Sequence, residues 1–153
     1  MLSIESKPIS LLGAALLSEA LAVNDGLHTL VLNVNALGDE GARLFSDALK
    51  TNHRLNTLFL GSNEIGDKGA HFLSHALYDN RTLQQLRLCG NDIGSTGAHA
   101  FIESLLSNHT LQELQLQYNP IWDLGLSTIN QGKNKARITC RIQAHERNRL
   151  FVV

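Results

Sequence analysis

A period of 28 residues is the feature that most restricts how this sequence can fold. The dipeptide Gly-Ala recurs at intervals of 28 residues, beginning at Gly13, Gly41, Gly69 and Gly97. Leucines and asparagines follow the same interval, so the repeated unit reads L-x-x-L-x-L-x-x-N-x-[LI]-G-x-x-G-A. Because many positions agree in one phase, the pattern indicates a solenoid in which each unit covers the apolar face of its neighbour.

Each unit predicts one short strand and one helix. In the L-x-L segment alternate residues point to opposite faces, so the leucines face inward and the residue between them faces out. The next segment, such as "GARLFSDALKTN", places Ala42, Phe45, Ala48 and Leu49 on one helical stripe. One strand and one helix cannot bury these apolar faces alone, whereas stacked neighbours can.

Three polar columns share the period. Asparagines after the strands are expected to bond backbone groups in stacked turns, as a ladder inside the fold; they are Asn35, Asn63, Asn91 and Asn119. Residues just before the helices are N-cap candidates for those helices; they are Asp39, Asp67, Ser95 and Asp123. Asparagines at the helix ends are expected to adopt the left-handed C-cap conformation; they are Asn24, Asn52, Asn80 and Asn108.

The phase also interprets both ends of the sequence. "ISLLGAALLSEALAV" resembles a signal peptide, but Glu19 interrupts it and the period makes it the helix of a partial first repeat, 1–26. Full repeats then occupy 27–54, 55–82, 83–110 and 111–137. "RITCRIQ" alternates at Ile138, Cys140 and Ile142, which predicts a cap strand at the start of a segment 138–153. We expect a single domain.

Composition narrows the class of partner. Hydrophobic residues make up 43% and charged residues 18%, with a formal net charge of −1, so the protein can bury a core and offers no general attraction to nucleic acid or anionic membranes. No apolar run reaches the roughly 18–20 residues of a membrane span. Two cysteines are too few for a disulfide framework and indicate a reducing, cytoplasmic compartment. We expect a monomer when the protein is free.

The repeated unit resembles leucine-rich repeats of the ribonuclease-inhibitor type. The resemblance extends from Met1 to about Gln131. The resemblance implies a right-handed α/β horseshoe with a parallel sheet on the concave face and helices on the convex face. It also implies a non-enzymatic protein that binds another folded protein, often an enzyme that it blocks. The short sequence is similar to secreted bacterial leucine-rich-repeat effectors, which act in the host cytosol. The alternative is a regulator of a small GTPase or a recognition fragment of an innate-immune-type receptor.

A phosphate-binding loop is the first competing interpretation. Gly61, Gly66 and Lys68 approach the pattern G-x-x-x-x-G-K-[ST] between a strand and a helix. Asp67 separates the glycine from the lysine, and Gly69 stands where a serine or threonine would bind magnesium. We therefore assign Gly66 and Gly69 to the repeated turn and expect no nucleotide cofactor.

A zinc site is the second competing interpretation. His71 and His75 share a helix face, and the 28-residue interval places His99 and Glu103 beside them. Two or three histidines and a carboxylate can hold zinc. The equivalent residues of the preceding repeat are an arginine and an aspartate, which favours ordinary solvated positions. We expect no resident metal.

The resemblance implies that a partner binds the concave face, formed by strand residues that alternate with the inward leucines. The candidate residues are Glu5, Thr29, Val31, Asn33, Thr57, Phe59, Gln85, Arg87, Cys89, Glu113, Gln115 and Gln117, with Tyr118 and Trp122 in the adjacent turn. Phe59 and Arg87 are the strongest candidates, because interfaces favour aromatic residues and arginine. Val31 is expected to add apolar contact, Cys89 to be a bystander, and Trp122 is equally consistent with capping the C-terminal end.

Overall fold

The structure, a computed structural model, describes residues 1–121 and a strand at 137–139. Strands and helices alternate along the sequence. The strands are β1 (Leu2–Ser3), β2 (Thr29–Val31), β3 (Thr57–Phe59), β4 (Gln85–Arg87), β5 (Glu113–Gln115) and β6 (Arg137–Thr139). The helices are α1 (Leu11–Val23), α2 (Gly38–Thr51), α3 (Asp67–Asp79) and α4 (Ser95–Leu105). This order confirms the predicted α/β solenoid.

The strands form one parallel sheet in the order β1-β2-β3-β4-β5-β6. From β1 to β5 the register joins residues 28 positions apart, as in the pairs of Leu58 with Leu30 and with Leu86. β6 pairs with β5 and places Ile138 beside Leu114. Because parallel neighbours need a crossover connection, each helix from α1 to α4 lies between consecutive strands and covers the inner face of the sheet.

The core lies between the sheet and the helices. The strand leucines at 30, 58, 86 and 114 have no exposed surface, which confirms that they point inward. Helix residues Phe45, Leu73 and Phe101 meet them from the other layer and are at most 1% exposed. The helices pack in sequence order, α1 on α2, α2 on α3 and α3 on α4, so each repeat is covered by its neighbours.

The Gly-Ala dipeptides mark the closest approach between helices. Gly69 lies inside the first turn of α3, so its assignment to the repeated turn was wrong. A Cβ at Gly69 would lie 2.6 Å from Ile65 Cγ2 and 3.0 Å from Ala42 Cβ on α2. Gly97 on α4 has the same relation to Ala70 on α3, at 2.9 Å. The glycine is repeated because a side chain would separate adjacent helices.

The asparagine ladder inside the turns is confirmed. Asn63 has no exposed surface, and its Oδ1 accepts hydrogen bonds from the N–H groups of Asn35 at 3.0 Å and Leu37 at 3.4 Å. Its Nδ2 donates to the carbonyl oxygen of Leu32 at 2.8 Å. Asn91 repeats this arrangement one unit later. Each asparagine therefore satisfies backbone groups of the preceding repeat, which would otherwise be buried without partners.

The asparagines at the helix ends form a second ladder, and the predicted left-handed C-cap was wrong. Asn52 has extended backbone angles, φ −76 and ψ 126. Its Oδ1 accepts from the N–H groups of Arg54 at 2.9 Å and Leu55 at 2.7 Å. Its Nδ2 donates to the carbonyl oxygens of Leu21 at 2.7 Å and Asn24 at 2.9 Å in the preceding repeat. An extended backbone aims the amide at both sets of groups, and a left-handed residue would not.

Asp39 and Asp67 lie in the first turns of α2 and α3 and cap the next helix, so their predicted role as N-caps of their own helices was wrong. Asp39 Oδ1 accepts hydrogen bonds from the N–H groups of Gly66 at 2.7 Å and Gly69 at 2.9 Å, at the N-terminus of α3. The N-cap residue of α2 is Leu37, whose side chain makes no capping bond. Asp67 caps α4 in the same way. Stacking thus places each carboxylate within hydrogen-bonding distance of the first N–H groups of the following helix.

The first helix confirms the interpretation of residues 11–23 as part of the solenoid, since α1 packs on α2. Its outer face is apolar and exposed, with Leu12 at 70%, Leu16 at 59% and Val23 at 85% of their full accessible area. Within the described residues, no helix is long and apolar enough to cross a membrane.

Several predictions concern residues outside the described ranges. They are the capping or binding role of Trp122, the N-cap at Asp123, the continuation of the last strand through Cys140 and Ile142, and the segment after it. The strand at Ile138 is present as β6.

Candidate protein-binding surface

The outward-facing residues of β2 to β5 form one continuous surface, which we call the concave surface. The register places them in rows that run across the sheet. One row consists of Thr29, Thr57, Gln85 and Glu113, and the next consists of Val31, Phe59, Arg87 and Gln115. The rows bring together residues that are 28 positions apart in sequence, as the period predicts.

Phe59 and Arg87 form a stacked pair at the centre of the second row. The guanidinium carbon of Arg87 lies 4.0 Å from the centroid of the Phe59 ring. Such cation–π stacking contributes about 0.5–2 kcal/mol and holds both side chains in one arrangement. Phe59 is half-buried as a result. The 28-residue period places the two residues side by side on neighbouring strands, but it does not predict that the guanidinium group stacks on the ring.

Val31 does not offer the exposed apolar contact that the alternation predicted. It retains only 5% of its accessible area. Its short side group stands in register beside the larger Phe59, and strands in a sheet lie only about 4.8 Å apart. A small residue beside a large one on the same face loses its access to solvent.

The polar residues near the start of the sheet are bonded to one another. Asn33 Nδ2 donates to Glu5 Oε1 at 2.7 Å, and its Oδ1 accepts from the Gly61 N–H at 2.8 Å. These bonds fix Asn33 across two strand junctions. The predicted binding residues Glu5 and Asn33 therefore lie on the concave side but already use much of their hydrogen-bonding capacity.

A second polar network occupies the other end of the surface. Cys89 Sγ lies 3.0 Å from Gln117 Oε1 and 3.5 Å from Gln115 Oε1. The Gln115 amide in turn donates to the Glu113 carboxylate. Burial raises the pKa of the Cys89 thiol, which disfavours the nucleophilic thiolate. The structure thus places Cys89 in a hydrogen-bonded surface and gives it no feature of a reactive cysteine.

Tyr118 stands at the rim of the concave surface. Its side chain is 61% exposed, and its backbone is in the left-handed region with φ 60. The adjacent Asn119 is tied to Leu88 and Leu116 through its amide, so the turn that carries Tyr118 is fixed to the ladder. The ring is therefore presented to solvent from a defined turn.

The competing phosphate site is closed by the fold itself. A phosphate at the N-terminus of α3 would need the N–H groups of Gly66 and Gly69. Asp39 Oδ1 already accepts both of these hydrogen bonds. The carboxylate thus occupies the position of a phosphate and would repel one.

The competing zinc site is not assembled among the described residues, where no group of three histidine, cysteine, aspartate or glutamate residues could hold a metal ion. His75 packs edge-on against Tyr78, with ring centroids 5.9 Å apart. His99 Nε2 lies 3.6 Å from Glu103 Oε1 on its own helix. Both histidines contact neighbours along their own helix.

A repeated strand–turn–helix unit, a parallel sheet and internal asparagine ladders define a leucine-rich-repeat solenoid. The profile of the family described as Leucine Rich repeat matches residues 27–46, 51–74, 79–101 and 107–129, together more than half of the sequence. The protein belongs to the leucine-rich-repeat family. Domains of this family are protein-binding scaffolds.

Solved structures support the same fold. The actin-binding site 2 of leiomodin-1 superposes with a TM-score of 0.74 at 22% identity, over 88% of this protein and 79% of that one. The C-terminal domain of tropomodulin from Caenorhabditis elegans gives a TM-score of 0.68 at 16% identity, over 90% of this protein and 86% of that one. No curated protein sequence matches significantly. At these identities the likeness defines the fold.

Proposed function

We propose that this protein is a non-enzymatic scaffold that binds one folded partner protein through its concave surface. The observation that carries the proposal is the stacked pair of Phe59 and Arg87 at the centre of that surface. Binding energy concentrates on central aromatic and arginine residues that are held rigid before the partner arrives. The neutral polar residues around the pair could form a rim that excludes water from the pair once the partner is bound.

The proposed mechanism is steric masking. A sheet tied by two asparagine ladders undergoes little rearrangement on binding, so the cost of ordering the surface is low. The partner that fits the proposal is an enzyme whose active site the concave surface covers. We place the protein in the cytoplasm, since Cys89 is a free thiol, and in the host cytosol if the protein is a secreted bacterial effector.

Actin is the first partner to assay, because the leiomodin-1 structure similar to this protein is named as an actin-binding site. The identity of 22% supports the fold alone, so actin serves as a specific candidate for the general proposal.

The alternative, regulation of a small GTPase, requires an arginine free to enter a partner's active site. Arg81 Nη1 instead donates to the carbonyl oxygens of Leu77 at 3.4 Å and Asn80 at 3.2 Å, at the C-terminal end of α3. Arg54 is exposed in the preceding turn and keeps this alternative testable. A nucleotide-turnover assay with candidate GTPases, comparing Arg54→Ala with the unchanged protein, separates it from simple masking.

The test of the proposal begins with a photo-crosslinking amino acid at Gln85 on the concave surface and, as a control, at Glu103 on the helix face. A partner captured through position 85 alone is then used for affinity measurements. Phe59→Ala combined with Arg87→Glu is expected to weaken binding about 100-fold or more. The free energy of unfolding should fall by only about 1 kcal/mol, because the pair is half-buried.

The matched control is Phe72→Ala combined with Arg54→Glu, which makes the same changes away from the concave surface. Phe72 is 40% exposed on α3 and Arg54 is exposed in a turn. This variant should bind as tightly as the unchanged protein. Equal affinities for the two double variants would rule out the concave surface as the binding site.

A further inference from the structure

We propose that Arg87 is a carboxylate-binding residue, and that the partner presents to it either an acidic residue or its own terminal carboxylate. This inference rests on the proposed function, since it specifies the chemistry at the centre of the same surface. It starts from the state of the guanidinium group, which stacks on a ring and has no hydrogen-bond or ion-pair partner among the described residues.

The side-chain nitrogens of Arg87 differ in their access to solvent. The Nε atom is buried and has no hydrogen-bond partner among the described residues. The two terminal nitrogens bond to no described residue and are not fully buried in the described part of the protein, so they retain access to solvent. With Phe59 under the guanidinium plane, the open edge of the group is the end that carries these terminal nitrogens.

Arg87 also forms no ion pair with any described residue. The ion pairs among the described residues all lie on helices α2 and α4, among residues 40–50 and between His99 and Glu103. Glu113, on the neighbouring strand, accepts a hydrogen bond from Gln115 and forms no ion pair with Arg87. A cation that is partly removed from water without a counter-ion attracts an anion from outside.

A carboxylate fits this site better than a phosphate does. The two terminal N–H groups of a guanidinium match the two oxygens of a carboxylate in a bidentate, end-on arrangement. Phosphate recognition generally uses several arginines. The row neighbours of Arg87 are Phe59 and Gln115, which are both neutral, so no second positive charge stands beside Arg87 in its row. Stacking on Phe59 fixes the plane in which the carboxylate must lie.

The experiment follows the guanidinium resonances of Arg87 by NMR in the free protein. Arg87→Lys assigns the signals by removing them. Three probes are titrated: N-acetyl-glutamate α-amide carries the carboxylate of an acidic residue, N-acetyl-glutamine carries the carboxylate of a peptide terminus, and N-acetyl-glutamine amide is neutral. The exposed Arg54 is the internal reference.

We expect at least one carboxylate probe to shift the Arg87 signals saturably, with an apparent affinity at least fivefold higher than at Arg54, and the neutral probe to have no effect. The stronger of the two carboxylate probes identifies the source of the group. Phe59→Leu, which keeps an apolar residue without a ring, should reduce the preference for Arg87. An Arg87 response no greater than that of Arg54, or equal for the neutral probe, overturns the proposal.

This experiment needs no partner, so it fails independently of the proposed function. If the concave double variant loses partner binding but Arg87 shows no preference for carboxylates, the proposed function is supported and the proposed carboxylate site is rejected. Carboxylate binding by Arg87 in a protein whose partner binds elsewhere would reject the proposed function and retain the carboxylate site.

Discussion

Asn63 both accepts and donates hydrogen bonds through its side-chain amide, which no other residue of its size could do. The amide accepts from two N–H groups of the preceding repeat and donates to the carbonyl oxygens of Leu32 and Gly61; the first three of these bonds are buried and the last is partly buried. A carboxylate would accept but not donate, and an aliphatic group would do neither. The repeated asparagine therefore follows from the requirement that buried backbone groups have partners.

The residue-scale prediction is that Asn63→Ala destabilises the protein strongly for a single polar residue outside the binding surface. Orphaned buried groups cost about 1–3 kcal/mol each, and relaxation of the turn recovers part of that, so we expect a loss of about 3 kcal/mol. Urea unfolding followed by circular dichroism measures it. Asn56→Ala is the control, because the Asn56 amide makes a single bond, to Thr82 at 3.2 Å. A similar decrease in the free energy of unfolding for both variants would show that the asparagine ladder does not stabilise the fold more than the single hydrogen bond of Asn56 does.

At the scale of elements, capping between repeats makes each helix depend on the unit before it. Asp39 belongs to the first turn of α2 but satisfies N–H groups of α3. The carboxylate also lies at the positive end of the α3 dipole, which adds to the effect. A helix start is thus stabilised from outside its own segment of sequence.

Asp39→Ala should therefore loosen α3 while leaving α2 intact. Loss of a helix cap costs about 0.5–2 kcal/mol. Hydrogen exchange is the suitable measurement, with faster exchange expected for the amides of Gly66 and Gly69 and unchanged exchange in the first turn of α2. Glu40→Gln is the control, since Glu40 pairs with Arg43 on an exposed face. Faster exchange confined to α2 would show that Asp39 caps its own helix.

The close contact of helices gives a second prediction at this scale. Alanine favours a helix over glycine by about 1 kcal/mol, yet Gly69→Ala should destabilise the protein by about 1–3 kcal/mol because its Cβ would lie 2.7 Å from Asp39 Oδ1 as well as against Ile65. Gly26→Ala is the matched control, since nothing lies within 4 Å of its Cβ position. Thermal unfolding of both variants decides the matter, and a stabilised Gly69→Ala would contradict the packing argument.

At the scale of the whole molecule, the sheet, both ladders and the caps share one period. A bond made by one repeat is made again 28 residues later, so the units are interchangeable in the middle of the stack. Stability in such a molecule is close to a sum over units and their interfaces. The period, rather than any single contact, is what the fold requires.

Deletion of residues 55–82 should accordingly leave a folded, shorter solenoid, because Asn91 and Gly94 then meet the groups that Asn63 and Gly66 meet now. Deletion of residues 55–81 removes one residue fewer and shifts every later residue by one position relative to the 28-residue period. We expect cooperative thermal unfolding for the first deletion and its absence for the second. The same melting behaviour in both would show that the period does not determine the fold.

The limits of sequence reasoning follow from the same period. Leu58 and Asn63 could be placed correctly because alternation and turn position determine which way a residue faces. The helix that Asp39 caps could not be predicted. In a repeating sequence an aspartate recurs at the same position whether it caps its own helix or the helix of the next repeat. The burial of Val31 and the stacking of Phe59 on Arg87 depend on residue size across neighbouring strands, which the spacing along one strand does not contain.

The direction of the asparagine ladder has a consequence for synthesis on the ribosome. The N–H groups of Asn35 and Leu37 bond to Asn63, which lies 28 and 26 residues further along the sequence. A nascent polypeptide therefore cannot complete one turn until the asparagine of the following repeat has been translated and has left the exit tunnel. Closure of the solenoid trails elongation by about one repeat. During a pause in translation, the N–H groups of the last translated turn lack the asparagine side chain to which they bond.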